Sequence, residues 1–136
     1  MEVSLAVLAD YANVSREGKL NILGVFNTVH VQAFPGGLPQ CFLVVRFAAD
    51  VEEKGTRQRI GFRLTDPDGK WVTELAAELQ VPSEGPPGSP ETDLILPAAP
   101  LVRFEREGPH ELKVFINDEE RRAIKVMAIR TPAPAE

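Results

Sequence analysis

Hydrophobic and polar residues alternate with a period of two along most of this chain. The clearest case is residues 60–81, IGFRLTDPDGKWVTELAAELQV, where Ile60, Phe62 and Leu64 alternate with small or polar residues up to the turn sequence DPDG. Alternation on both sides of an Asp-Gly turn predicts a β-hairpin. The stretch 73–79, TELAAEL, also contains good helix formers, but its alternation and its position after the turn favour a strand.

The same pattern predicts seven to nine strands. Apart from the hairpin, they fall at 3–12, 20–32, 41–51, 92–96, 101–104, 110–117 and 121–130. Gly24 lies inside the long second strand, where glycine marks a bulge or a close backbone approach. The last two strands form a closing hairpin that turns over residues 118–120. Short strands without helical periodicity predict an all-β fold, an antiparallel two-sheet sandwich that is immunoglobulin-like in the Greek-key sense.

A chain of 136 residues fits one domain, which we place at residues 1–130. The segment 82–90, PSEGPPGSP, has the composition of a flexible loop, because its prolines lack the N–H that a strand ladder needs and its glycines favour turns. Residues 131–136, TPAPAE, form a tail that should fray.

Composition narrows the function classes and the compartment. The formal net charge of −5 argues against a nucleic-acid partner. The N-terminus lacks the basic region of a signal peptide, and no apolar run is long enough to span a bilayer, so we expect a cytoplasmic protein with no membrane partner. The single cysteine, Cys41, fits a reducing compartment and reads as a buried small hydrophobe. Loop prolines and few Asn, Gln and Cys residues are typical of a thermophilic source.

Residues 8–35, LADYANVSREGKLNILGVFNTVHVQAFP, carry a family resemblance. Their LAD, GKLNILGVF and FP motifs, the LVVRF strand at 43–47, the DPDG hairpin and the closing segment GPHELKVFIN at 108–117 resemble a bacterial family known only as a domain of unknown function. The resemblance implies a small β-sandwich. It implies no activity and no cofactor.

The carboxylates at two turns are the candidates for a metal site. If the loops met at one end of the sandwich, Asp50, Asp66 and Asp68 could offer oxygen ligands to a cation such as Ca²⁺. The sequence DPDG is also ordinary turn chemistry and lacks the ligand spacing of an EF-hand loop. We therefore expect no metal, and a metal- or small-ligand-binding domain is the alternative. The residues His30, Cys41 and His110 lack zinc-ligand spacing.

The sequence gives little support for catalysis or for nucleic-acid binding. The serines lie outside any nucleophile-elbow motif and the chain has two histidines, so we expect no catalytic residues and no enzyme. Arg57, Arg59 and Arg63 share one strand face, which favours a solvated outer face with cross-strand partners such as Glu74 or Glu78. Arg46 interrupts an apolar run and requires an ion-pair partner, for which Asp10 and Glu78 are the candidates.

Several strands are apolar on both faces, although a sandwich strand normally has one polar, solvated face. In the second strand Leu23, Val25, Val29 and Val31 lie opposite Ile22, Gly24 and Phe26, and in the third Phe42 and Val44 lie opposite Leu43 and Val45. The loop 97–101, another subunit or an unknown protein partner could cover the second face. Exposed apolar patches mark interfaces, and two-fold dimers are the commonest assemblies. We therefore predict a non-enzymatic binding or assembly module that forms a homodimer through an outer sheet face.

Overall fold

A computed structural model describes residues 1–84 and 91–132 of the chain. Residues 85–90 of the predicted flexible loop and residues 133–136 of the predicted tail lie outside the described residues. The strands are β1 (Glu2–Val14), β2 (Leu20–Phe26), β3 (Thr28–Val31), β4 (Gly36–Gly37), β5 (Phe42–Ala48), β6 (Arg57–Thr65), β7 (Trp71–Gln80), β8 (Glu91–Pro97), β9 (Arg103–Phe104), β10 (Gly108–Ile116) and β11 (Glu119–Arg130).

Two sheets stack to form the predicted sandwich. The four-stranded sheet has the order β2-β1-β5-β8, and the five-stranded sheet has the order β3-β11-β10-β6-β7. The all-β immunoglobulin-like fold is confirmed, with eleven strands in the described residues where seven to nine were predicted. A short 3-10 helix, Val51–Glu53, follows β5. Among the described residues, no helix combines the length and the apolar character needed to cross a bilayer.

The core lies between the inner faces of the two sheets. Leu8, Leu43 and Phe47 of the four-stranded sheet and Phe62 and Leu112 of the five-stranded sheet are completely buried. Each such side chain contributes about 1.5–3 kcal/mol through removal of its apolar surface from water. The predicted alternation follows directly, because every second residue of each strand enters this layer.

The hairpin at residues 60–81 is confirmed as β6 and β7. The Asp66 carboxylate accepts hydrogen bonds from the backbone amides of Asp68 and Lys70, both at 2.9 Å. Gly69 has a φ of +83°, which glycine adopts without a steric penalty. These two residue types fix the turn, and the pairing of Phe62 with Leu75 follows from it.

The predicted single strand at 20–32 is wrong, because the chain changes sheets at Asn27. β2 pairs antiparallel with β1, whereas β3 pairs parallel with β11. Apolar residues occur at odd positions on both sides of the corner, so the sequence predicts one strand through the polar pair Asn27 and Thr28, although the core-facing positions change there from even to odd. As a result Val29 and Val31 are buried in the core instead of sharing a face with Leu23 and Val25.

Two other predicted boundaries are also corrected. The third strand ends at Ala48 and not at residue 51, because the 3-10 helix follows. The closing hairpin turns at Asn117 and Asp118, whose φ values are +49° and +69°, and not over residues 118–120. Asn and Asp tolerate this left-handed conformation better than Glu does, so both glutamates at 119–120 start β11.

Candidate self-association surface

The outer face of the four-stranded sheet is apolar across all four strands. Val7 of β1 pairs with Val44 of β5, which in turn pairs with Ile95 of β8. Their sequence neighbours enter the core, so the alternation of strand geometry turns these three outward. We call this surface the apolar face; it consists of Leu5, Val7, Ala9, Tyr11, Leu23, Val25, Phe42, Val44 and Ile95.

The apolar face is most exposed at the edge strand β2. Leu23 is 68% exposed, Val25 60% and Tyr11 49%. Ala9 and Val44 are buried beneath their neighbours on the same face. Single exposed hydrophobic residues are common, but a contiguous set on one sheet face is typical of an interaction surface.

Two aromatic side chains stiffen the middle of this face. The rings of Tyr11 and Phe42 meet edge to face, with centroids 5.8 Å apart and an interplanar angle of 86°. This geometry is the one that aromatic quadrupoles favour. The pair joins β1 to β5 on the solvent side of the sheet.

An ion pair borders the apolar face at its β5–β8 end. Arg46 donates from Nε to Asp93 Oδ1 at 2.7 Å and from Nη2 to Asp93 Oδ2 at 3.1 Å, and its Nε lies 3.3 Å from a Glu91 oxygen. The hydrogen bonds that Arg46 donates to Asp93 raise the pKa of Arg46 above its ordinary value. The predicted ion pair exists, but the predicted partners Asp10 and Glu78 were wrong, because β8 and not β1 or β7 carries the carboxylates.

A groove extends the apolar face at the β2 side. It has a volume of about 360 Å³ and runs past Val7 and Val25 to Phe26, with Ile124 and Lys125 of β11 on its far wall. The groove lies where β1 contacts β11 between the two sheets. It is therefore continuous with the apolar face through Val7 and Val25.

The outer face of the five-stranded sheet is charged by comparison. Arg63 lies 3.9 Å from a Glu74 oxygen, and Arg59 pairs with Asp118 at 2.8 Å. Arg57 donates to the Gln80 side chain at 3.3 Å. The predicted solvated face with a cross-strand partner at Glu74 is confirmed. The two outer faces therefore differ in chemistry, and the four-stranded sheet carries the apolar one.

The candidate metal ligands do not converge. Asp50 precedes the start of β6 and Asp66 follows its end, so nine strand residues, or about 30 Å, separate Asp50 from Asp66 and Asp68. The Asp68 carboxylate binds Arg106 at 2.8 Å, and the backbone hydrogen bonds from Lys70 and Asp68 lower the pKa of Asp66. Within residues 1–84 and 91–132, no three His, Cys, Asp or Glu side chains form a group able to hold a metal ion.

Cysteine and histidine occupy structural positions. Cys41 is buried, and desolvation, followed by the negative charge of Asp10, raises the pKa of its thiol. His110 is buried against Phe104, and its Nδ1 donates to the Gly108 carbonyl at 2.9 Å. His30 is exposed and its Nδ1 lies 3.1 Å from the Thr131 hydroxyl. A raised thiol pKa disfavours the thiolate that nucleophilic chemistry needs.

The loop 97–101, which was one possible cover for the outer sheet face, packs into the core instead. Ala98, Leu101, Val102 and Phe104 are buried in the core between the sheets. The loop after β8 therefore closes one end of the sandwich and leaves the apolar face open.

The fold and this surface together define an immunoglobulin-like β-sandwich with one open apolar sheet face. The chain belongs to DUF6941, a family of unknown function whose model matches residues 4–129, as the motifs at 8–35 predicted. No curated protein matches the chain. The crystal structure of an immunoglobulin-like protein from Pseudomonas aeruginosa is similar over 94% of this chain and 97% of that one, with 12% identity and a TM-score of 0.42.

Proposed function

We propose that this protein is a non-enzymatic assembly module that forms a homodimer through its apolar face. The observation that carries the proposal is the contiguous exposure of Tyr11, Leu23 and Val25 on one sheet face. Removing such side chains from water contributes about 25 cal/mol for each Å² buried. The buried thiol of Cys41 fits the predicted cytoplasmic location and offers no activated nucleophile.

A second copy of the chain is the occupant that suits this face. An isologous dimer places the same patch on both subunits, so an apolar patch meets an apolar patch without desolvating charges. The charges near it, Arg46 and Asp93, already neutralise each other at the border. A partner selected by charge would instead find its complement on the five-stranded sheet.

The size of the face sets the expected affinity. Four strands spaced about 4.8 Å apart, with about seven residues of about 3.3 Å each, make a face of about 20 by 23 Å. This area is about half of the roughly 800 Å² that each partner buries in a standard interface. The groove beside Val7 and Val25 adds to it, and we expect a dimer with a dissociation constant of about 1–100 μM.

Sedimentation velocity at about 1–300 μM protein, a range chosen to bracket that affinity, tests the proposal. The wild type should shift from monomer to dimer across this range, and Val25→Asp should remain monomeric at every concentration because it buries a charge in the interface. Met127→Asp is the control, since Met127 is an apolar residue of the five-stranded sheet that is 40% exposed, against 60% for Val25. Circular dichroism verifies that both variants fold. A wild type that is monomeric throughout, or a Met127→Asp variant that loses the dimer while Val25→Asp keeps it, would contradict the proposal.

A further inference from the structure

Arg63 is held between two aromatic rings on the outer face of the five-stranded sheet. Its guanidinium carbon lies 3.9 Å from the centroid of Trp71 and 4.3 Å from the centroid of Phe115. Arg63 and Phe115 come from the paired strands β6 and β10, and Trp71 follows the turn into β7. Stacking covers the guanidinium faces and leaves its N–H groups, which lie in the plane, as the part that can still bind.

Those N–H groups make no hydrogen bond within the described part of the chain. The nearest carboxylate oxygen, Oε1 of Glu74, is 3.9 Å from Arg63 Nε, which exceeds hydrogen-bond distance. The Arg63 side chain is only 24% exposed. A fixed, half-buried guanidinium with free donors is well suited to bind an oxyanion through two parallel hydrogen bonds.

A groove of about 180 Å³ lies beside Arg63. Gly61 and Ala76, which pair across β6 and β7, form its floor, and the groove is also lined by Arg59, Phe115 and the carboxylates of Glu74 and Asp118. Gly61 has no positive φ, and a Cβ there would meet nothing closer than the Phe115 Cβ at 3.6 Å, an ordinary contact. Neither the backbone nor the packing requires glycine, although glycine weakens a strand interior, and a strand glycine often marks the close approach of a ligand.

We propose that this groove binds a small carboxylate, with Arg63 gripping the carboxyl group and the Gly61–Ala76 floor receiving a short apolar body. The volume suits about nine non-hydrogen atoms, the size of benzoate, at roughly 20 Å³ per atom in a packed site. Such a ligand should half-saturate the groove at about 1 mM, the affinity expected of a ligand of this size that makes one charged contact. This site lies on the opposite sheet from the apolar face, and it does not depend on the proposed dimer.

Neighbouring carboxylates compete with the ligand and supply a further test. Glu74 faces Arg63 across β6 and β7, and Asp118 already binds Arg59 at 2.8 Å. Both acids weaken an incoming anion by like-charge repulsion. Glu74→Gln should therefore tighten binding about threefold, the effect of one exposed charge interaction.

Benzoate titration of the full chain at constant ionic strength is the experiment. Trp71 is the only tryptophan, so its fluorescence reports on the stack, and the Gly61 amide signal in ¹H–¹⁵N spectra reports on the groove floor. Arg63→Lys keeps the charge but loses the planar fork, and should weaken benzoate binding at least about tenfold. Gly61→Val should block the groove while all charges remain. Arg57→Lys on the same strand is the control, because Arg57 does not line this groove.

The proposal holds if benzoate shifts the Gly61 signal saturably, if Arg63→Lys removes that shift, and if Arg57→Lys leaves it intact. In Gly61→Val, which has no Gly61 signal, benzoate should no longer change the Trp71 fluorescence. Benzamide, which lacks the charge, and inorganic phosphate, which lacks the apolar body, should bind at least about fivefold more weakly, a difference of about 1 kcal/mol. Phosphate binding as tightly as benzoate, binding that survives Arg63→Lys, or no saturable shift up to about 20 mM benzoate would overturn it.

Discussion

Tyr11 and Phe42 contact each other edge to face on the solvent side of the four-stranded sheet, with their ring centroids 5.8 Å apart. Burial of an aromatic pair is ordinarily favourable. This pair lies on the same face as Leu23, Val25 and Ile95, and no part of the described chain covers that face. The same side of the molecule carries a bidentate ion pair, Arg46–Asp93. The surface is thus both apolar and geometrically fixed, which favours association over simple exposure.

The Arg46–Asp93 pair should contribute measurably to stability because its two side chains are only 32% and 14% exposed. A double-mutant cycle with Arg46→Met and Asp93→Asn should give a coupling free energy of about 1 kcal/mol in urea unfolding. The Arg59–Asp118 pair is the control, since it has a similar distance of 2.8 Å but both side chains are at least 70% exposed. The coupling free energy of the Arg59–Asp118 pair should be about 0.2 kcal/mol. Equal couplings in the two cycles would refute the role of shielding.

The two residues of the closing turn should respond to substitution in opposite directions. Asp118→Gly should raise the free energy of unfolding by about 0.5–1 kcal/mol, because glycine adopts the positive φ without penalty. Asn117→Ala should lower it by about 2 kcal/mol, since Asn117 accepts from the Arg59 amide at 3.0 Å and donates to the Gln58 side chain at 2.6 Å. Thermal denaturation of both variants checks the signs, and a stabilising Asn117→Ala would contradict this geometry.

Cys41 should make the protein less stable in alkali. Desolvation raises the folded-state pKa of its thiol above the ordinary value of about 9, so the folded state holds the proton more tightly than the unfolded state. This stabilisation is complete below about pH 9 and is lost as the pH rises through the folded-state pKa. Urea unfolding of the wild type and Cys41→Ala at pH 7, 9 and 10 measures it.

The Cys41→Ala variant should be less stable by about 1 kcal/mol at pH 7 because of the lost packing. The gap between the two proteins should narrow at pH 10, when the wild type loses the thiol contribution. Other groups titrate equally in both proteins and cancel. A gap that is constant or widens from pH 7 to pH 10 would show that the thiol is not desolvated.

Local turn chemistry and alternation predicted most of the fold, and the failures have a common cause. The hairpin at 60–81 was readable because DPDG fixes its own turn through Asp66 and Gly69. The corner at Asn27 was missed, because apolar residues occur at odd positions on both sides of the polar pair Asn27 and Thr28 and therefore suggested one strand. Sheet membership depends on contacts far apart in sequence, which a period of two does not encode.

The candidate surfaces divide in the same way. Strand parity predicted that Leu23 and Val25 share one face and that Phe42 and Val44 share one face, but it did not predict which face is the outer one. The partner of Arg46 and the stack of Arg63 between Trp71 and Phe115 were missed. Both contacts depend on the register between neighbouring strands, which the alternation of the sequence does not specify.

The location of the dimer contact is the claim that most needs direct measurement. ¹H–¹⁵N spectra recorded over a dilution series, at about 300 μM to about 5 μM to span the expected affinity, identify the amides whose environment changes on association. If the apolar face forms the dimer contact, the amide signals of Val7, Ala9, Tyr11, Leu23 and Val25 should shift with concentration. The amide signals of β6 and β7 should stay constant. Shifts that cluster on β6 and β7, or a spectrum that does not change with dilution, would contradict it.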